Sequence, residues 1–513
     1  MMQSYKKISI CMKTSKLLLG KTVNYPNFAN LFVQKKKFIF DLAILLILNL
    51  LIKPFWVIII EPKVQDHVGN IAFGEYSVLF NFSFLLTTFL DFGLTQFNNR
   101  NIAQNTHLLN KHFSKMMGLK FGLGILFMLV TMLIGSIIFN FDVRYIKLLF
   151  ILGINHFFIN LIFFLRSNLL ALHAFKLDSV ISVLDRVIMI SLVGVMILGW
   201  FGLEPNIMNF VYAQTIGYGL TALIAFIAVL GKTHTFKMEW DKKFNMLILK
   251  KSAPYAILVL LMTFYNRLDS VMIERLLPGD VGKEQCGIYA KSFRFLDAAN
   301  MIGYLFSVQL LPLFSRMLKQ KENIENVVKL SFTLLITPAL IVSISTIFYA
   351  DKFFEKIYTG NTEGYQIFAV LMNCFTAMSL TYIFGALLTA SGKLKQYNIM
   401  AVGGIILNLI LNIILIPKFH AMGSAIASVS TQFAMGLAQV WLCYKFFNFR
   451  VNKRILLALF LFIIGLVLVN YLTLSLTKQW MLNFVIMLTF SGLLAFVTGM
   501  INPKSVVRFL KYK

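Results

Sequence analysis

Residues 455–475 read ILLALFLFIIGLVLVNYLTLS, a run of 21 residues without a single charged side chain. A helix needs about 20 apolar residues to cross the hydrocarbon core of a bilayer, so this stretch is long enough to span it. Comparable runs recur along the chain from about residue 38 to residue 501. This recurrence predicts an all-α polytopic membrane protein.

About fourteen such runs are present, which predicts about fourteen transmembrane helices. The predicted spans are 38–60, 72–97, 116–139, 148–171, 178–200, 207–230, 252–274, 287–313, 327–350, 364–390, 396–416, 421–444, 455–475 and 480–501. The loops between them are short, and the longest has about 20 residues and follows the sixth span.

The composition excludes an ordinary soluble domain. Hydrophobic residues make up 58% of the 513 residues and charged residues 13%, against roughly 45–50% and 25% in soluble proteins. The formal net charge of +27 would suggest nucleic acid as the partner of a soluble protein. Here most Lys and Arg residues lie between apolar runs, so we expect contact with membrane lipids and no nucleic-acid partner.

The distribution of cations predicts the orientation. Alternate loops, without the N-terminal tail, carry 23 Lys and Arg residues on one side and 9 on the other. Because cytoplasmic loops are enriched in Lys and Arg, the richer side is predicted to be cytoplasmic. Both termini then face the cytoplasm. The predicted basic cytoplasmic segments are the tail 1–37, the linker 232–250 and the tail 502–513.

No catalytic constellation is visible. The sequence contains no P-loop, HExxH or GxSxG motif, and no loop is long enough to fold as a catalytic domain. The four cysteines lie far apart, without CxxC spacing or a His at metal-ligand spacing, so neither a zinc site nor a disulfide framework is indicated. We predict a non-enzymatic protein without a cofactor, with coupling to the membrane potential or a cation gradient left open.

An internal repeat predicts the domain organisation. Residues 73–82, FGEYSVLFNF, align with residues 286–295, CGIYAKSFRF, at an offset of 213. The identical pairs are Gly74 with Gly287, Tyr76 with Tyr289, Phe80 with Phe293 and Phe82 with Phe295. Many transporters consist of such duplicated halves. We therefore predict two six-helix bundles, 38–231 and 251–447, around a central cleft, followed by helices 13 and 14 within 448–501.

Three cations inside the predicted spans are candidates for binding an anion. Lys53, Arg267 and Arg294 each lie about seven residues, or roughly 10 Å, below the outer face of the membrane along their helices. A charge at membrane depth costs several kcal/mol unless it faces a bundle interior or water. The three therefore predict a cationic belt in the cleft. Other cations near helix ends are expected to extend to the membrane interface: Lys120, Lys291, Lys329 and Arg166.

Intramembrane acids could bind or neutralise cations. Arg294 and Asp297 are three residues apart on one helix face, so a structural salt bridge between them is as well supported as a ligand role. Arg267 and Asp269 are two apart and do not face each other. Asp269 is therefore expected to have another partner, either Lys53 or a bound cation. The candidate coupling or pairing acids are Asp269, Asp297 and Asp185.

The chain resembles the polysaccharide, or lipid-linked repeat-unit, flippases of the multidrug/oligosaccharidyl-lipid/polysaccharide exporter superfamily. The motifs that carry the resemblance are Phe73-Gly74-Glu75-Tyr76, Leu90-Asp91-Phe92-Gly93-Leu94, Arg100-Asn101-Ile102-Ala103, Asn266-Arg267-Leu268-Asp269, Gly287-Ile288-Tyr289-Ala290, Leu311-Pro312, Ser391-Gly392-Lys393, Asn412-Ile413-Ile414-Leu415-Ile416-Pro417 and Gly423-Ser424-Ala425-Ile426-Ala427. His420-Ala421-Met422 departs from the further glycines that relatives often have there.

This resemblance implies transport of undecaprenyl-pyrophosphate-linked oligosaccharide from the inner to the outer leaflet by alternating access, for a surface polysaccharide such as O-antigen or capsule. It implies a polysaccharide polymerase and glycosyltransferases as partners, and we expect a monomer. The alternatives are a cation-coupled multidrug exporter of the same superfamily and a membrane-embedded polysaccharide polymerase. Polar residues that could line a glycan path are Asn81, Asn160, Gln214, Gln309, Asn373 and Gln432.

Overall fold

The structure is a computed structural model that describes residues 48–49, 51–95, 98, 108–139, 142–172, 174–202, 205–233, 237–358, 363–449 and 452–501. All regular secondary structure within these ranges is helical. The two predicted basic tails, 1–37 and 502–513, and the motif 100–103 lie outside the described residues.

In the first bundle, helical residues 51–55 continue into a π-helical turn, Trp56–Ile60, that leads directly into the first long helix. Its helices are α1 (Glu61–Leu85), α2 (Thr88–Asp91), α3 (Leu108–Ile138), α4 (Val143–Ala171), α5 (Phe175–Ile197) and α6 (Ile207–Leu230). Asp142 and Asn206 cap the N-termini of α4 and α6 by accepting hydrogen bonds from backbone N–H groups.

The second bundle contains the longest helices of the described chain. They are α7 (Lys242–Leu276), α8 (Gly279–Lys319), α9 (Glu325–Ile357), α10 (Tyr365–Ala390) and α11 (Leu394–Phe447). Two further helices, α12 (Lys453–Thr473) and α13 (Trp480–Val497), follow it and pack against α9. The predicted linker 232–250 is partly helical, because α7 already begins at Lys242.

Two of these helices each contain the turn between two predicted spans. Gly69 in α1 has φ 82° and ψ 165°, which divides this helix between the first and second spans. His420 in α11 has φ 53° and ψ −134° and divides that helix between spans eleven and twelve. Glycine adopts positive φ readily, whereas a histidine there is uncommon. The loops predicted at 61–71 and 417–420 are therefore much shorter than the sequence pattern suggested.

The prediction of an all-α polytopic membrane protein is confirmed. Nine helices in the described ranges are long and apolar enough to cross a membrane, and α11 is counted once although it contains two spans. The long helices outside this set are α1, α7 and α8. These same three helices hold most of the contacts between the two bundles. Polar sequence is thus concentrated where the bundles face each other.

The repeat-related helices cross at their equivalent glycines. A β-carbon built on Gly74 would lie 1.8 Å from the carbonyl oxygen of Lys283, and one built on Gly287 would lie 2.1 Å from that of Asn70. Asn70 and Lys283 are themselves related by the offset of 213. The contact is therefore reciprocal about a pseudo-two-fold axis, which supports the interpretation of residues 73–82 and 286–295 as a structural repeat.

Ionic contacts surround this crossing, which lies at the face with fewer cations, hereafter the cation-poor face. Glu75 of α1 is buried and pairs with Arg144 of α4 at 2.6 Å and with Lys283 of α8 at 3.2 Å. One carboxylate therefore connects both bundles.

Amide groups add further contacts between the bundles. Gln65 donates a hydrogen bond through Nε2 to the carbonyl oxygen of Gly287 at 2.9 Å. Asn70 donates through Nδ2 to Oε2 of Glu363 at 3.0 Å. Together with Glu75 and the glycine crossing, these contacts join the bundles at the cation-poor face.

Candidate functional site

A cavity of ≈ 280 Å³ lies in the second bundle, at its border with α1 of the first bundle. The side chains that line it come mainly from α7, α8, α10 and the second half of α11, and the first bundle contributes one aromatic ring from α1. They are Phe84, Val259, Met262, Thr263, Tyr265, Asn266, Arg267, Phe293, Leu296, Asp297, Asn300, Cys374, Met378, Tyr382, Ser428 and Gln432. Arg267 and Asp297 are the charged residues of this lining.

Arg267 forms a two-pronged ion pair with Asp297 in this cavity. Nη1 and Nη2 of Arg267 donate hydrogen bonds to the two carboxylate oxygens at 2.8 and 3.0 Å. Its guanidinium also lies 5.0 Å from the ring centroid of Phe84 on α1 and 5.0 Å from that of Phe293 on α8. These distances allow cation–π attraction to both rings. Arg267 is thus held by both bundles.

The structure places Arg294 away from this pair. Arg294 is buried and donates a hydrogen bond to Gln65 of α1, and its guanidinium lies 4.9 Å from the ring centroid of Phe73. The salt bridge considered between Arg294 and Asp297 is not formed, because Asp297 pairs with Arg267 on the neighbouring helix instead. Nη1 of Arg294 has no hydrogen-bond partner in the described part of the chain.

Lys53 lies in a separate group of charges within the first bundle. The charged residues whose electrostatic interactions reach it are Arg186, Asp185, Arg166 and Asp178. Lys53 is not part of the cavity lining around Arg267. The structure therefore does not bring Lys53, Arg267 and Arg294 together as one belt.

Asp185 belongs to this first-bundle group. Its carboxylate lies 3.6 Å from the guanidinium of Arg186, the next residue along α5. Arg186 in turn lies 5.6 Å from the ring centroid of Trp56 and 5.7 Å from that of Tyr218. Asp185 is thus paired within the first bundle and does not reach the cavity.

Asp269 is buried and surrounded by neutral hydrogen-bond donors. It accepts hydrogen bonds from the hydroxyl of Tyr289 at 2.9 Å and from the amides of Asn412 at 2.9 Å and Asn408 at 3.3 Å. The hydroxyl of Ser428 also donates to it. Asp269 has no ion pair among the described residues, so the expectation that Lys53 is its partner is wrong. The Oδ1 atom of Asn412 is buried there without a hydrogen-bond partner among the described atoms.

Two lysines expected to extend to the membrane interface are instead buried. Nζ of Lys120 lies 2.5 Å from Asp91 and donates a hydrogen bond to the carbonyl oxygen of Leu90 at 3.2 Å. Nζ of Lys291 lies 5.0 Å from the ring centroid of Tyr358. Both side chains therefore point into the protein, because polar or aromatic partners are available on adjacent helices.

Arg166 also differs from the expectation. Nε and Nη2 of its guanidinium donate hydrogen bonds to the two oxygens of the buried Asp178 carboxylate at 2.6 and 3.1 Å. Lys329 remains partly exposed near the end of α9, where it pairs with Glu325 at 2.5 Å. Helix spacing along one chain segment did not reveal partners on other segments.

The candidate glycan-lining residues are mostly engaged elsewhere. Gln432 lines the cavity and donates a hydrogen bond to Asn266 at 2.6 Å. The amide of Asn81 contacts Ser77 and Ser270, Asn160 accepts from Lys120, Gln214 contacts Tyr76, and Asn373 donates to carbonyls of its own helix. The side chain of Gln309 lies outside the described atoms.

Sequence reasoning missed several residues of these sites. Asn408 and Asn412 are four residues apart, so they lie on one face of an apolar helix, a signal that could have suggested polar partners for Asp269. Phe84 and Tyr382 carry no comparable signal, because aromatic residues are common in apolar spans of this chain.

Two bundles of mainly apolar helices meet through the more polar helices α1, α7 and α8, and a cavity with the Arg267–Asp297 ion pair lies at their border. This is the architecture of a two-bundle integral membrane protein. A family model described as "Polysaccharide biosynthesis protein" matches residues 41–318, more than half of the chain. The chain belongs to this family, and the predicted family resemblance is confirmed.

Similar proteins agree with this fold. The uncharacterized membrane protein MJ1375 of Methanocaldococcus jannaschii is 23% identical over 417 residues, which cover 76% of this chain and 92% of that protein. The structure titled "Lipid II flippase MurJ, inward closed conformation" aligns with a TM-score of 0.69 at 14% identity, over 90% of this chain and 98% of the other. An inward-facing multidrug resistance MATE family transporter aligns with a TM-score of 0.57 at 13% identity, over 79% and 97%.

Proposed function

We propose that this protein moves lipid-linked oligosaccharides that bear a pyrophosphate across the membrane by alternating access, without catalysing a reaction. The observation that carries the proposal is the position of Arg267, which lies in a cavity and contacts both bundles in a member of the polysaccharide biosynthesis protein family. A site between two bundles can be exposed first to one side of the membrane and then to the other as the bundles rock.

The chemistry of Arg267 fits an anionic headgroup. Guanidinium binds carboxylate and phosphate oxygens through two parallel hydrogen bonds, and Arg267 already holds a carboxylate in this way. Its cavity of ≈ 280 Å³ is slightly smaller than the range of about 300–1,000 Å³ for small-molecule sites. We infer that it holds the pyrophosphate and the first part of the glycan, while the remainder occupies space that opens between the bundles.

Lys53 and Arg294 take different parts in this proposal. Lys53 is the second candidate for anion contact, because two further cations, Arg186 and Arg166, lie near it. Arg294 lies next to the crossing of α1 and α8, so a role in holding the cation-poor face closed suits it better than contact with substrate.

Asp269 is proposed as the coupling acid. A buried carboxylate without a cationic neighbour is costly in a membrane, and a proton or a monovalent cation would reduce this cost. Three neutral groups of α11 and one of α8 donate to the carboxylate, and the unpaired oxygen of Asn412 offers a further contact for a cation. Binding of either species would link the position of α7, α8 and α11 to an ion gradient.

The exporter alternative predicts an acidic cavity, since its substrates are cationic. The described lining carries one arginine and one aspartate, so its formal charge is balanced rather than acidic. A polymerase would need catalytic groups, and the described lining offers none in a recognisable constellation. The flippase is therefore the better-supported proposal, in a bacterial inner membrane with both termini cytoplasmic. The expected partners are a polysaccharide polymerase, glycosyltransferases and membrane lipids, and we expect a monomer.

Deletion of the gene and complementation with variants test this proposal. The deletion strain is expected to lose surface glycan and to accumulate single lipid-linked repeat units on the inner leaflet. Repeat units that reach the outer leaflet but remain unpolymerised would instead indicate a polymerase. Unchanged glycan together with increased sensitivity to cationic drugs would indicate an exporter.

Arg267→Ala is expected to abolish complementation at a normal level of membrane-inserted protein, because the anion loses its two-pronged partner. Arg267→Lys is expected to retain part of the activity, since lysine keeps the charge but not the planar geometry. The measurement is surface glycan normalised to folded protein in the membrane. Full complementation by Arg267→Ala would contradict the proposed anion site.

A further inference from the structure

We infer that Asp297 is an exchangeable counter-anion. Its carboxylate occupies the anion-binding position on the guanidinium of Arg267 until the substrate pyrophosphate replaces it. This inference rests on the proposed function and adds to it a residue that sets substrate affinity and release. The carboxylate already fills the positions that two phosphate oxygens would need, with N···O distances of 2.8 and 3.0 Å. Phosphate and carboxylate therefore compete for the same edge of one guanidinium.

The guanidinium keeps its position without Asp297. The rings of Phe84 and Phe293 lie on it at equal centroid distances of 5.0 Å, one from each bundle. Cation–π contacts of this kind persist whichever anion occupies the edge of the guanidinium. Release of the carboxylate thus leaves a preorganised receptor for another anion.

Exposure indicates which partner can leave. The side chain of Asp297 is 40% exposed, whereas that of Arg267 is 19% exposed. Water can hydrate the released carboxylate at the cavity surface, while the less exposed guanidinium still requires an anion. Exchange for a substrate anion satisfies both groups, and departure of the carboxylate alone does not.

The pair of Arg166 and Asp178 provides an internal contrast. It is also two-pronged, through Nε and Nη2 of Arg166 rather than Nη1 and Nη2, but here the carboxylate is the buried partner, at 1% exposure, and the arginine is 16% exposed. Asp178 cannot be hydrated where it lies, so this pair is permanent. The two pairs share their chemistry and differ in which partner reaches water.

Binding of farnesyl pyrophosphate to the purified full chain tests the exchange. The variants are Asp297→Asn, Asp297→Ser, Arg267→Gln and the double variant Asp297→Asn with Arg267→Gln, in nanodiscs of neutral lipid, with farnesol as the uncharged probe. Asp297→Asn and Asp297→Ser are expected to bind farnesyl pyrophosphate at least fivefold more tightly than the wild type, with farnesol binding unchanged. The gain is expected to disappear in the double variant, because it requires Arg267.

Each other outcome has a defined meaning. Wild-type binding that depends on the pyrophosphate but is unchanged in both Asp297 variants overturns the counter-anion role and leaves the proposed function standing. An equal gain in the Arg267→Gln background also overturns it, because removal of any negative charge would then suffice. Absence of pyrophosphate-dependent binding in every variant overturns both proposals. Failure of both Asp297 variants to remain monodisperse overturns the exchange, which requires a carboxylate that folding does not need.

Discussion

The buried carboxylates of the two bundles have different partners. In the first bundle, the partly exposed Asp91 pairs with the buried Lys120 at 2.5 Å, and the buried Asp178 pairs with Arg166 at 2.6 Å. In the second bundle, Asp269 is equally buried but accepts hydrogen bonds from neutral groups only, as far as the structure describes its surroundings. A carboxylate with a fixed counter-charge holds helices together, whereas one without it is available to a mobile ion. The difference separates structural acids from a candidate coupling acid.

The largest expected effect comes from breaking a first-bundle pair. Asp178→Ala leaves the guanidinium of Arg166 without its counter-charge, and loss of one partner of a buried pair costs about 3–5 kcal/mol. We expect little folded protein in the membrane, measured by size-exclusion chromatography after mild heating. The double variant Arg166→Met with Asp178→Leu is expected to recover most of it, because replacing both charges leaves neither unpaired. Normal stability of Asp178→Ala would show that the pair is not structural.

A second-bundle substitution is expected to affect transport rather than folding. Asp269→Asn removes the charge but retains the shape, and its neighbours are neutral groups that hydrogen-bond to an amide as well. We expect at least a tenfold loss of transport at near-normal abundance of folded protein. Asp351→Asn, which alters an exposed carboxylate on α9, is the control and should transport normally. If Asp269→Asn lost as much folded protein as Asp178→Ala, Asp269 would be a structural acid like Asp178, and the proposed difference between the bundles would be wrong.

The smallest effect is expected where a pair is exposed to solvent. Asp241 caps α7 and lies 2.8 Å from Lys115 of α3, and the hydrogen bond from Lys115 holds the pKa of its carboxyl below the usual value. A depressed pKa stabilises the fold above the unfolded value of about 4, and this stabilisation is lost as the pH falls through the folded value. Asp241→Asn is therefore expected to lower the melting temperature slightly at pH 7.

Melting temperatures of the wild type and Asp241→Asn across pH check this prediction. The difference between them should shrink as the pH falls below about 4, where the wild-type carboxyl also becomes neutral. A difference that stays constant with pH would mean that the charge of Asp241 is not responsible. A loss of stability as large as that of Asp178→Ala would mean that solvent exposure does not determine how much an ion pair stabilises this protein.

The sequence predicted the spans well and the partners of charged residues poorly. Runs of apolar residues are local features, and the described parts of the fourteen predicted spans are mainly helical, although 38–47 and 50 of the first span lie outside the described residues. The pairing of Arg267 with Asp297 joins residues 30 apart on adjacent helices, and that of Lys120 with Asp91 joins residues 29 apart. Such pairings depend on how helices rotate against each other, which apolar periodicity does not determine.

The candidate site was therefore found in part. Arg267 was selected by its depth and lies in the cavity, while Lys53 and Arg294, selected by the same criterion, lie in other surroundings. Depth along a helix gives one coordinate of a side chain, and the direction in which it points gives another. To distinguish Arg267 from Lys53 and Arg294, one would have needed to know which face of each helix points toward the cleft.

The reciprocal glycine contact between α1 and α8 bears on how the two halves of the chain arose in evolution. Gly74 approaches the backbone of residue 283, and Gly287 approaches that of residue 70, in the manner of two identical subunits around a two-fold axis. Fusion of a symmetric homodimer would leave this contact within a single polypeptide. In a homodimer every residue exists twice, so no acid could be present on one side alone. After duplication the halves were free to diverge, and an unpaired carboxylate such as Asp269 could arise in one of them only.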